Sequence, residues 1–129
     1  VSLISLFMAA QFAFEKLEVW QKARAFNKTI YQTTSQFPYS EQGILVDQLK
    51  RAANSIPSNI AEGSGRLSPK QFIHFLSISY GSLMEVFNHL ILAHDLGYIS
   101  DKELAEIRIK TSEIAKMIKS LRYKLDTLP

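Results

Sequence analysis

The most chemically suggestive residues of this chain are cations that lie close together near its carboxyl end. Between positions 108 and 124, six Lys and Arg residues stand against the single carboxylate of Glu113, a local net charge of +5. Such side chains neutralise phosphates, and the ring of Tyr123 could stack on a base, which predicts binding to RNA or DNA without base readout. A solvated helix C-terminus explains the same charges equally well, because cations there interact favourably with the helix dipole and a solvated face needs charge. The candidate phosphate contacts are Arg108, Lys110, Lys116, Lys119, Arg122 and Lys124.

A row of short polar side chains between Arg51 and Glu62 marks a second candidate site. Positions 51, 55, 58 and 62 fall on one face of a helix. Solvated faces usually carry more Lys and Glu, so this row favours packing against a neighbouring backbone. We expect an interface network in which Arg51 pairs with Glu62 or Glu85. Such a buried ion pair would define the register of the interface more than it would stabilise the protein. A ligand site is the alternative.

The sequence lacks the residue patterns of several other kinds of site. The absence of Cys excludes disulfides, thiol catalysis and Cys-ligated zinc. The three histidines, His74, His89 and His94, lack the spacing of helical metal sites. No residues match a nucleophile with its base or a pair of catalytic carboxylates, and the turn at 63–65 lacks the Lys of a phosphate-binding loop. We therefore expect no catalytic residue, no metal and no cofactor, and a protein that is not an enzyme.

Four amphipathic helices must position these residues. Pro57 predicts a kink in the second helix, Ser68 and Gly97 predict the ends of the third, and Ser100 with Glu103 predicts a capping box that opens the fourth. No segment alternates with a period of two, so we predict no sheet. Short connections imply an all-α fold, an antiparallel up-down-up-down four-helix bundle. The expected helical ranges are 14–38, 41–62, 69–96 and 100–128.

The third helix has more apolar residues than one bundle face needs. A wide stripe that includes Met84 and Ile91 is expected to face the core. A second apolar flank, with small residues such as Ser79, allows close approach of another helix, so we predict an intersubunit surface there. The alternative is that the apolar N-terminal segment covers this flank within one chain. The candidate interface residues are Arg51, Ser55, Asn59, Glu62, Phe75, Ile78, Ser82, Glu85 and Val86.

Length and composition describe one globular domain, since the chain has 129 residues, of which 47% are hydrophobic. We expect this domain at residues 14–129, and a peripheral segment at 1–13 that is too short to cross a bilayer and lacks the basic start of a secretory signal. The leading Val suggests a start codon other than AUG, a misplaced start or an artefact, with Met8 as an alternative start. The net charge of +3 is compatible with a polyanion partner without demanding one. We expect a cytoplasmic protein that does not bind membranes.

Residues 51–63, RAANSIPSNIAEG, resemble the R-A-A-x-S-I-P-x-N-I-A-E-G signature of the small bacterial four helix bundle proteins encoded in intervening sequences of 23S rRNA genes. The chain is also similar to accessory variability determinant proteins of diversity-generating retroelements. Further similarity, as in FEKLEVWQKA at 14–23, extends the match to about residues 14–125. The resemblance implies protomers in a homopentameric barrel and, for the retroelement proteins, binding of nucleic acid and a reverse transcriptase through basic surfaces. Those proteins tend to be strongly basic, whereas this chain carries only +3.

Two functions therefore compete. The first is an oligomeric protein that binds RNA or DNA as a ribonucleoprotein or retroelement accessory factor, with an affinity that falls steeply with salt. The second is a protein–protein interaction scaffold whose pentamer recruits a partner such as a reverse transcriptase and has no nucleic-acid role. Affinity that is absent at about 50 mM salt would reject the first function. Capture of a protein after nuclease treatment would favour the second.

Overall fold

The structure is a computed structural model that describes residues 2–5 and 11–129. Within these residues, two short 3-10 helices, Ala13–Lys16 and Tyr39–Glu41, accompany the four α-helices of the bundle, and residues 3–5 are also helical. No strand occurs within the described residues, so the all-α prediction is confirmed. The alternative start at Met8 lies outside the described residues. The α-helices are Glu18–Thr34 (α1), Leu45–Ser64 (α2), Pro69–Asp95 (α3) and Asp101–Asp126 (α4).

Contacts between the helices show that neighbours in sequence run antiparallel. Ser55 of α2 meets Ser82 of α3, whereas Gly63, later in α2, lies against Phe75, earlier in α3. The contacts of α4 with α1 and with α3 follow the same reversed order. Each helix packs on two others, and α2 and α3 form the most extensive of these contacts. The subunit is therefore a closed up-down-up-down bundle.

The hydrophobic core lies between the four helices. In each helix most buried apolar residues are three, four or seven positions apart, which places them on one face. Full burial of a large aliphatic or aromatic side chain contributes about 1.5–3 kcal/mol, so this core supplies most of the stabilisation. The largest fully buried side chains are Phe26, Ile30, Val46, Leu49, Ile56, Ile60, Leu76, Leu83, Val86, Leu90, Ile114 and Ile118.

Capping hydrogen bonds confirm the predicted beginnings of α3 and α4. The Ser68 hydroxyl accepts a bond from the backbone N–H of Gln71 at 3.2 Å. Ser100 and Glu103 form a reciprocal capping box with distances of 3.1 and 3.2 Å. Gly97 follows the end of α3 with a φ of 81°, and the two backbone hydrogen bonds of a Schellman motif close this helix.

The first two helices are shorter than predicted. The backbone at Leu17 is extended between the first 3-10 helix and α1, so α1 begins only at Glu18. It ends at Thr34, because Pro38 disfavours the helical conformation of Phe37, whose side chain instead turns into the core. The backbone at 44 is not helical, which delays the start of α2 to residue 45. From there α2 continues through Pro57 to residue 64.

The orientation of α3 differs from the predicted one. Ser79 and Val86, both expected on the intersubunit flank, are fully buried within the subunit, and Ser79 donates a hydrogen bond to the Ile56 carbonyl at 2.8 Å. Met84 and Ile91, expected in the core, are 39% and 38% exposed. The assignment of Val86 to an intersubunit surface is therefore wrong. The small side chains of α3 allow close approach of α2 rather than of another subunit.

Candidate nucleic-acid interface

The six cations of α4 surround the half of the helix that faces away from the core. They do not form one patch, because the grooves on the two sides of α4 divide them between α3 and α1. Arg108, Lys119 and Arg122 lie toward α3, Lys110 and Lys124 lie toward α1, and Lys116 borders grooves on both sides.

The groove between α3 and α4 is lined by Arg108, Lys116 and Lys119, and we call it the basic groove. It encloses about 330 Å³. The Cζ atom of Arg108 lies 4.7 Å from the ring centre of Phe87, and the Nζ atom of Lys119 lies 5.3 Å from that of Tyr80. These cation–π contacts position the two side chains without neutralising their charge.

A second cleft adjoins the basic groove near the end of α4, and we call it the end cleft. It encloses about 290 Å³ between Ile73 of α3 and four residues of α4, namely Lys119, Arg122, Tyr123 and Asp126. The side chain of Lys119 thus borders both cavities. The Nε atom of Arg122 is buried and has no hydrogen-bond partner among the described residues. The ring of Tyr123 is 71% exposed.

The opposite side of α4, toward α1, carries charges of both signs. Lys22 of α1 pairs with Glu113 at 3.0 Å, and Lys110 lines the same groove. Lys124 shares its groove with Glu18. Nearby carboxylates offset the positive potential on this side. Within residues 2–5 and 11–129, none of the six α4 cations forms an ion pair with a carboxylate.

The polar row of α2 takes part in the contact between α2 and α3. Ser55 and Ser82 share a hydrogen bond of 2.8 Å between the two helices. The side-chain amide of Asn59 donates to the backbone oxygen of Ser55 at 2.8 Å and to its hydroxyl at 2.9 Å. The structure thus brings three of the predicted interface residues together in one network, and this network lies within the subunit.

The expected pairing of Arg51 with Glu62 or Glu85 is wrong within one subunit. Glu62 pairs instead with Arg66, one turn later, at 2.7 Å, and the Arg66 guanidinium also lies 4.8 Å from the ring centre of Phe75. Arg51 and Glu85 are both exposed, and neither forms an ion pair within the described part of the chain. Each therefore retains its charge on the surface formed by α2 and α3.

The sequence prediction named Ile78 and Glu85 of an exposed face of α3 and missed its apolar neighbours Leu92 and Leu96. Leu92 and Leu96 are exposed as well, and Ile78, Glu85 and Leu92 are spaced by seven residues, which places them on one helical face. We call these four residues the outer face of α3. The seven-residue spacing of Ile78, Glu85 and Leu92 is visible in the sequence and indicates that these residues share one helical face. The apolar side chains at 2–5 are exposed, so the described part of the N-terminal segment does not cover this face.

The remaining polar contacts are structural. The Tyr98 hydroxyl donates to the carboxylate of Glu41 at 3.0 Å and its ring lies 5.6 Å from that of Phe37, which joins two loops at one end of the bundle. The hydrogen bond to Glu41 raises the pKa of Tyr98 above its ordinary 10.0, and burial and the Glu41 charge act in the same direction. Among the described residues, no three metal-ligating side chains group in a way that could hold an ion.

Residues 15–120 match the model of a protein family described as 23S rRNA-intervening sequence protein. The chain belongs to this family. It shares its fold with a protein of unknown function from the S23 ribosomal protein family of Bacteroides thetaiotaomicron VPI-5482, whose crystal structure was determined at 1.70 Å. The two are 25% identical, with a TM-score of 0.72 over 81% of this chain and 97% of the other. No curated protein matches the chain.

Among the described helices, α3 alone is long and apolar enough to cross a membrane by length and composition. The core helix of a bundle can pass the same test. Here α3 packs against both α2 and α4 and contributes Leu76, Leu83 and Leu90 to the core, but only 28% of its apolar window is buried, so core packing accounts for part of its apolar composition.

Proposed function

We propose that this protein binds RNA or DNA through the basic groove, as a non-enzymatic ribonucleoprotein or retroelement-type accessory factor in the cytoplasm. The observation that carries the proposal is that Arg108, Lys116 and Lys119 line one groove in which no carboxylate takes part. Unpaired cations in a shared groove raise the local potential well above what a net charge of +3 suggests. The resemblance to retroelement accessory proteins supports the same function.

The length of the basic surface suits a nucleic-acid backbone. From Arg108 to Arg122 the helix rises by about 21 Å, at about 1.5 Å per residue. The cations of the basic groove and the end cleft can therefore contact several phosphates of one strand. Phosphate contacts carry no sequence information, so we expect little preference among sequences.

The salt dependence of binding tests this function. Four phosphate contacts predict a slope of about −2.8 for log affinity against log salt on a single strand, or roughly a 50-fold loss between about 50 and 200 mM. The double variant Lys116→Ala/Lys119→Ala should make this slope shallower by about 1.4 units. The matched control is Lys28→Ala, because Lys28 is an exposed cation of α1 outside these grooves. Fluorescence anisotropy that detects no binding at about 50 mM salt would contradict the function.

We also propose that copies of the protein assemble through the outer face of α3, in the homopentameric barrel that the resemblance implies. The support is the exposed apolar surface of Ile78, Leu92 and Leu96. Arg51 and Glu85 add opposite charges on the surface formed by α2 and α3, and neither has an ion-pair partner within the described subunit. A contact between copies could therefore satisfy both charges while it buries the apolar stripe.

A protein–protein scaffold is the second candidate function. The outer face of α3 favours it as an alternative to self-assembly through this face, since an apolar stripe suits a protein partner, such as a reverse transcriptase, better than a polyanion. A pull-down from nuclease-treated lysate separates the two functions. A partner that is retained by the Lys116→Ala/Lys119→Ala variant and lost with Leu92→Glu would favour the scaffold. A partner that disappears after nuclease treatment would favour nucleic-acid binding.

A further inference from the structure

We propose that the end cleft binds a single-stranded segment of nucleic acid, with one base stacked on Tyr123 and the adjoining phosphates held by Lys119 and Arg122. The inference rests on the proposed function, because it specifies which form of nucleic acid the basic surface of α4 selects. Its basis is that an uncovered aromatic ring lies beside two cations in one cleft of about 290 Å³. This volume lies close to the lower end of the range for ligand pockets, about 300 Å³.

Tyr123 differs from the other rings beside α4. Phe87 is buried and lies under the guanidinium of Arg108, and the ring of Tyr80 lies under Lys119. Tyr123 is 71% exposed, and among the described residues no cation or second ring covers it. Stacking a base on this ring would remove apolar surface from water on both partners. Tyr123 is therefore the ring of this surface that is free to stack.

The charges in the end cleft define where the phosphates lie. Lys119 and Arg122 are three residues apart on α4 and line the same cleft, about 4.5 Å apart along the helix. Asp126 lies one turn beyond Arg122, and its carboxylate repels a phosphate at that end. The backbone of the strand is thereby directed toward Lys119 and Arg122. The carboxylate of Asp126 is then left to accept a hydrogen bond from a base amino group or a ribose hydroxyl.

The preference for a single strand follows from Tyr123 and not from charge. Bases in a duplex are paired and stacked on each other, so a surface ring reaches them only where the strand is unpaired. The cations contact phosphates in either form. Every base has a π-face, so stacking on Tyr123 should be tolerant of sequence.

The test compares Tyr123→Ala with Tyr123→Phe, which keeps the ring. A second control, Tyr39→Ala, removes a tyrosine that is even more exposed than Tyr123 and lies in the 3-10 helix before α2. Binding is measured by the fluorescence anisotropy of four labelled probes. Each probe has about a dozen nucleotides, a length within the site sizes of single-strand binding proteins. They are a single-stranded RNA composed of A and C, a single-stranded DNA of the same sequence, the duplex of that DNA, and an abasic strand that keeps the phosphates. Sedimentation of each variant shows whether assembly is unchanged.

We expect Tyr123→Ala to weaken binding of the two single strands at least fivefold, and to leave the duplex and the abasic strand within about twofold. Tyr123→Phe and Tyr39→Ala should bind all probes like the wild type. An equal loss on all four probes, or no loss on single strands, would overturn the single-strand site while leaving the phosphate contacts of the proposed function intact. A wild type that binds none of the probes at about 50 mM salt would overturn both. Tighter binding of RNA than of DNA would indicate that the ribose hydroxyl is recognised.

Discussion

The hydrogen bond between Tyr98 and Glu41 is a contact of single residues with a defined pH dependence. Because the hydroxyl donates to a carboxylate, the pKa of Tyr98 in the folded protein lies above 10.0. A group whose pKa is raised by folding stabilises the protein below its unfolded pKa, and this contribution is lost as the pH rises through the folded pKa. We expect Glu41→Gln to lower the pKa of Tyr98 toward 10.0, measured by NMR of ring-labelled tyrosine.

The control for this prediction is Tyr98→Phe, which removes the hydroxyl and keeps the ring against Phe37. Its unfolding free energy should decrease less than that of the wild type as the pH rises above about 10. If Glu41→Gln left the titration of Tyr98 unchanged, the hydrogen bond would not be the cause of the raised pKa. The Tyr98–Glu41 contact is remote in sequence, so the spacing of the residues gave no indication of it.

At the scale of helices, the parts that the sequence predicted are those with local causes. The Ser68 cap, the capping box at Ser100 and the αL residue Gly97 each depend on chemistry within a few residues, and all three are in place. The orientation of α3 has no such local cause. Its apolar residues cover several faces, so the buried face is decided by tertiary contacts, such as the hydrogen bond of Ser79 to the Ile56 carbonyl of α2.

The candidate site shows the same division between local and tertiary causes. The six cations of α4 and their helical periodicity are legible in the sequence. Their separation into a basic groove toward α3 and a side of mixed charge toward α1 depends on contacts with other helices, such as Lys22 with Glu113 and Arg108 with Phe87. Glu62, in contrast, pairs with Arg66, four residues along the chain, so this ion pair has a local cause that the sequence prediction missed. Residue spacing within one helix does not encode the contacts of Lys22 and Arg108.

The closeness of α2 and α3 depends on Gly63, where a substitution should be costly. A Cβ atom there would lie 2.8 Å from the Cβ of Phe75 and 2.9 Å from Cδ1 of Phe72. The Phe72 ring can rotate away, whereas the Phe75 Cβ moves only with its backbone. We expect Gly63→Ala to lower the free energy of unfolding by about 1–3 kcal/mol, measured by chemical denaturation.

The matched control is Gly81→Ala, since Gly81 lies in the middle of α3 with no atom within 4 Å of an added Cβ. Alanine is the better helix former, so this variant should gain about 0.5–1 kcal/mol. The two glycine substitutions are thus expected to have opposite signs. A stabilised Gly63→Ala variant would show that the two helices can separate slightly at no cost.

For the whole molecule, α3 links the two proposed activities because it has three different sides. Its inner side builds the core with Leu76, Leu83 and Leu90, and a second side, with Tyr80, borders the basic groove. The outer face, with Leu92, belongs to neither. Assembly through the outer face therefore leaves the basic groove open on each copy. Several grooves on one particle would bind a long nucleic acid with avidity.

Disrupting the outer face of α3 by mutation tests whether assembly and nucleic-acid binding are linked. We expect the double variant Ile78→Glu/Leu92→Glu to form monomers in light scattering at micromolar concentration, because two buried carboxylates would lack partners. Its helical circular dichroism should match the wild type, since both residues are exposed in the subunit. The control is Leu67→Glu, a fully exposed residue between α2 and α3. A wild type that is itself monomeric under these conditions would contradict the assembly.

The nucleic-acid affinity of the same double variant then separates avidity from the strength of a single groove. On a probe long enough to reach several subunits, loss of assembly should weaken binding by about 100-fold or more, since linked sites gain about 10²–10⁴ from effective concentration. On a probe of about a dozen nucleotides, which one groove can hold, affinity should fall much less. Equal losses on long and short probes would place Ile78 and Leu92 within the nucleic-acid site itself, whereas equal affinities would mean that each subunit binds alone.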